Sequence, residues 1–125
     1  MMRTLYALLL TGLLAFAAQA HDDHGKPQWG GVVADAGPYQ VELVAARNGE
    51  IKLYLTDHGA QLPSQGGSGR LTVLVGGKKE ELALKPVSDS ALGATSTLRP
   101  GRGARAVAVI ELPGHKPATL RFVLK

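Results

Sequence analysis

His21, Asp22, Asp23 and His24 are the residues best suited to chemistry: two imidazoles flank two carboxylates within four positions. They follow Ala18-Gln19-Ala20 directly, a small-x-small pattern of the kind cut after export. Cleavage after Ala20 would make His21 the first residue. Its α-amine and ring Nδ1 could then close a chelate on one ion. An α-amine has a pKa of about 7.7–8.0 and yields its proton to a metal readily near neutrality. Nitrogen-rich tetragonal sites suit copper(II), and imidazole also suits zinc and nickel. His24 is the expected second ligand and His58 the third, with Asp57 beside His58 as an oxygen ligand or as the group that orients its ring. His115 is a further histidine that folding could add. A cut displaced by one residue removes the chelate, and the bland alternative is a polar arm at a chain end that binds nothing.

Other chemistries find little to work with. The chain has no cysteine, so thiolate ligands and disulfides are excluded. It has no Gly-x-Ser-x-Gly and no His-Glu-x-x-His, and Gly66-Gly67-Ser68-Gly69 lacks the lysine and following helix of a phosphate loop. The expectation is a protein that is not an enzyme.

The elements that must position these residues begin after a leader. Arg3 supplies a positive start, and an apolar run over residues 5–17 is broken only by Thr11 and Gly12. The run is shorter than the roughly 20 residues that span a bilayer. It reads as a cleaved secretory signal over residues 1–20, which implies an exported protein with no transmembrane segment after cleavage. Residues 21–29 form an irregular arm, and 30–125 form one β domain.

Alternation carries the β reading. Tyr39, Val41 and Leu43 share one face, as do Ile51, Leu53 and Leu55. Asn48-Gly49 between the two runs signals a hairpin. Further strands are expected over residues 32–36, 71–75, 80–85, 92–98, 104–112 and 119–124, separated by Gly/Pro turns, with residues 86–90 a loop and 57–69 a long flexible one. Seven or eight short strands without a helix indicate an immunoglobulin-like antiparallel β-sandwich, with a small closed β-barrel as the alternative.

The formal net charge is +4, and the excess of bases lies after Gly66. Export argues against nucleic acid as the partner. The bases fall singly along alternating strands with no aromatic residues among them, the pattern of a solvated sheet face with at most weak attraction to anionic membrane surfaces.

Gly30-Gly31-Val32-Val33, Tyr39-Gln40-Val41-Glu42-Leu43-Val44 and Ile51-Lys52-Leu53-Tyr54-Leu55-Thr56-Asp57-His58 together resemble a small periplasmic domain of Gram-negative bacteria. That domain stands alone or precedes adaptor subunits of heavy-metal efflux pumps. Members often carry a histidine directly before the Gly-Gly pair, where this chain has Trp29. The resemblance implies a β-sandwich linked to copper or zinc tolerance, with an efflux adaptor or another envelope protein as partner. His21 and the expected fold are also loosely similar to periplasmic copper-resistance sandwiches that bind copper through an N-terminal histidine.

Overall fold

A computed structural model describes residues 25–125. Nine strands run through them: β1 (Val32–Asp35), β2 (Gln40–Ala45), β3 (Glu50–Asp57), β4 (Ala60–Gln61), β5 (Ser68–Val75), β6 (Lys78–Ser88), β7 (Ala91–Thr95), β8 (Arg105–Glu111) and β9 (Ala118–Val123). Every pairing is antiparallel. The ladder runs β1-β2-β3-β7-β6-β5-β8-β9, with the short β4 on β3. Its two ends, β1 and β9, lie side by side, so the sheet is nearly closed. Among the described residues no helix is long and apolar enough to cross a membrane.

The all-β antiparallel expectation holds, and of its two forms the barrel is the one observed. An immunoglobulin-like sandwich needs two separate ladders, and here β6 joins them. Residues 78–84 of this strand pair with β5, and Lys85, Pro86 and Ser88 pair with β7. The register shifts between Pro86 and Ser88, and such a bulge bends a strand and tolerates a proline that a regular ladder would reject. The loop expected over residues 86–90 is therefore mostly strand.

The turns follow their residues. Gly76-Gly77 links Val75 to Lys78 with positive φ at Gly76 alone, the requirement of a two-residue type II′ loop. At Asn48-Gly49 the Gly49 N–H donates to the Ala46 carbonyl at 3.0 Å and only Gly49 has positive φ. The Asn48 side chain caps the Glu50 N–H at 2.9 Å.

The expected long loop is pinned rather than free. Ser64 is buried; its N–H donates to the Asp89 carbonyl and its hydroxyl to the Ser88 carbonyl. The Ser90 hydroxyl reaches the Leu55 and Leu62 carbonyls at 2.7 and 2.8 Å. Ser68 and Gly69 already belong to β5. Inside the barrel, Val41, Leu43, Leu53, Leu71, Ile110 and Phe122 belong to one continuous core, which supplies the main stabilisation in a chain without disulfides.

Candidate functional site

His21, Asp22, Asp23 and His24 lie outside the described residues. What the structure describes is how the chain just after them is fastened. The backbone N–H groups of Gln28, Trp29 and Gly31 donate to the Glu42 carboxylate at 2.6, 2.8 and 2.8 Å. Glu42 is only 4% exposed, so this acceptor works in a partly dehydrated setting where hydrogen bonds to a charge are strong. The Trp29 ring stacks on Tyr54 with centroids 4.2 Å apart and planes 10° from parallel. Tyr54 is also the cross-strand partner of Glu42. One carboxylate and one ring thus hold the base of the arm on the outer face of β2 and β3. Gly31 is required there because a Cβ would run into the Leu43 carbonyl oxygen.

His58 sits in a turn of its own. Asp57 pairs with Ala60, so His58-Gly59 is a two-residue hairpin loop. Both residues have positive φ, 54° and 86°, as a type I′ turn demands. A left-handed histidine is uncommon, although histidine is among the residues enriched there. The His58 N–H donates to Gln40 Oε1 at 3.4 Å. Its ring Nδ1 lies 2.5 Å from Asp57 Oδ1. A carboxylate can only accept, so Nδ1 carries the proton. This is the carboxylate–histidine arrangement that orients metal-binding imidazoles.

His115 approaches the same end of β2 from the turn between β8 and β9. Its ring packs edge-on against Tyr39, with centroids 5.1 Å apart and planes 80° apart. Its Nδ1 lies 3.2 Å from the Pro113 carbonyl. Tyr39 is 1% exposed, and its hydroxyl has no hydrogen-bond partner among the described residues. Burial raises the phenol above its ordinary pKa. Two consecutive residues, Tyr39 and Gln40, therefore touch the two described histidines, Tyr39 with its ring and Gln40 through the His58 N–H. Among the described residues, no three histidine or acidic side chains gather closely enough to hold a metal ion.

Alternation places Glu42 on the outer face of β2, where a carboxylate needs no explanation, so the sequence hides its burial. The available signals were the single tryptophan and the Gly30-Gly31 pair just before β1. No protein-family model, curated protein or solved structure matches the chain.

Proposed function

We propose that the chain is an exported, periplasmic, non-catalytic protein that binds a copper or zinc ion and serves metal tolerance or efflux. His21 is the primary ligand, His24 the second and His58 the third, with Asp57 behind His58. The observation that carries this reading is the Asp57–His58 pair. A histidine stands in a left-handed turn position, and its Nδ1 is held by the preceding carboxylate. Backbone positions of this kind recur at functional sites, and a metal would take the distal nitrogen, Nε2. The fastening of Gln28, Trp29 and Gly31 by Glu42 supports the reading too, since it fixes the described part of the arm to the barrel.

The test is a calorimetric titration of the exported protein with copper(II) and with zinc, after mass spectrometry has located its N-terminus. His21→Ala and His58→Ala should each weaken binding. Affinity unchanged in both variants removes the site. No binding by the unaltered protein would favour the second reading, an envelope module that docks on an efflux adaptor and holds no metal.

A further inference from the structure

The outer face of β6, β5, β8 and β9 runs from the β5–β6 hairpin to the arm, where Arg121 and Val123 line a cavity with Gly25 and Pro27. Leu71, Ala106 and Phe122 point into the core, so their neighbours Arg70, Arg105 and Arg121 point outward. The register gives each arginine an aliphatic cross-strand partner: Arg70 faces Val109, Arg105 faces Val123, and Arg121 faces Val107. Lys79 faces Leu74 in the same way. None of the four cations forms an ion pair with a described carboxylate. Val109 and Val123 are 37% and 55% exposed. Among the described residues this face thus alternates cations that have no carboxylate partner with aliphatic groups, rather than setting opposite charges across the strands.

We propose that this outer face of β6, β5, β8 and β9 docks on an anionic phospholipid surface. Protein–protein interfaces centre on aromatic anchors packed in pockets, and the four outward rows of this face hold no aromatic residue. What it offers is four spaced cations for phosphate groups, guanidinium forks among them, on a four-stranded surface whose short aliphatic side chains meet the glycerol region. Two acids lie within the rows, Glu81 opposite Thr72 and Glu111 opposite Ser68, and leave a net charge of about two. Each cation near an anionic surface contributes about a fivefold gain in binding. The preference for anionic over neutral vesicles should therefore reach roughly twenty-five-fold at low salt and fall as salt screens it. This docking is independent of the metal reading.

The experiment is co-sedimentation of the whole exported protein with phosphatidylcholine vesicles, with and without phosphatidylglycerol. The protein should pellet only with the anionic vesicles. Arg105→Glu with Arg121→Glu should abolish pelleting while a thermal melt shows the barrel intact. Lys52→Glu with Lys85→Glu changes net charge equally on another part of the barrel and should leave pelleting in place. The inference is overturned if anionic vesicles fail to pellet the protein or if both pairs reduce pelleting alike. It is also overturned if the protein binds a soluble acidic polypeptide but no vesicle, which would make the face a protein contact.

Discussion

The backbone N–H of Trp29 donates to Glu42 Oε2 at 2.8 Å while the Trp29 indole lies on Tyr54, the residue paired with Glu42 across the ladder. A segment without any hydrophobic period is thereby fixed to the barrel at two adjacent points. One point is electrostatic and the other is dispersive, so each can be removed separately. Whatever residues 21–24 do, they do it from a base that the sheet holds in place.

Replacing Glu42 with alanine leaves three amides without their acceptor. Because the arm can swing into water, the cost should be that of ordinary charge-assisted bonds, about 1–3 kcal/mol. Amide exchange at Gln28, Trp29 and Gly31 should accelerate well before exchange in β2. Trp29 is the only tryptophan, so its fluorescence should shift to the red in the folded protein. Unchanged exchange at those amides would mean that the stack on Tyr54 suffices alone.

The parts that were legible in the sequence are those where period two meets a buried face. Val41, Leu43, Leu53 and Leu55 alternate because the core lies on one side of β2 and β3. β4 was not legible, since two residues carry no period. The continuation of β6 was hidden by Pro86, which ordinarily ends a strand and here sits at a bulge. The candidate site was legible only as residue types. The sequence places His58 at the start of a long loop, whereas its role in a two-residue turn depends on the pairing of Asp57 with Ala60. The cover over Glu42 comes from the arm, and no pattern within β2 announces it.

Tyr39 carries a buried hydroxyl with no partner among the described residues, so Tyr39→Phe removes a dehydrated polar group and breaks no hydrogen bond among them. The variant should be as stable as the parent or more stable by up to about 1 kcal/mol, measured as a shift in denaturant midpoint with unchanged slope. A loss of stability instead would show that a water or ligand occupies the space beside the phenol.

Glu80 links the β5–β6 hairpin to the segment after β7. Its carboxylate accepts from the Ser96 hydroxyl at 2.7 Å and the Thr97 hydroxyl at 2.8 Å. These bonds, Ser96 first and then Thr97, lower its pKa below the ordinary glutamate value. With the folded value below the unfolded one, the contribution to stability is present above the ordinary glutamate pKa. It fades as pH falls toward the folded pKa. Stability should therefore decline through that acid window in the parent and decline less in Glu80→Gln. Ser96→Ala should raise the Glu80 pKa, as followed by NMR titration of its carboxyl carbon.

His58→Asn separates the turn from the imidazole. Asparagine accepts a left-handed backbone at least as well as histidine, and Asp57 and His58 are both solvent-accessible, 45% and 76%, so their pair adds little to stability. The variant should melt at the parent temperature or slightly above it. On the proposed metal reading it should nevertheless lose a ligand, and Asp57→Asn should weaken affinity about tenfold or more by releasing the ring. Parent-like melting with weakened copper or zinc binding in both variants would place His58 at the metal. Parent-like melting with full affinity in both would leave the left-handed histidine as turn chemistry alone and take the third ligand out of the proposal.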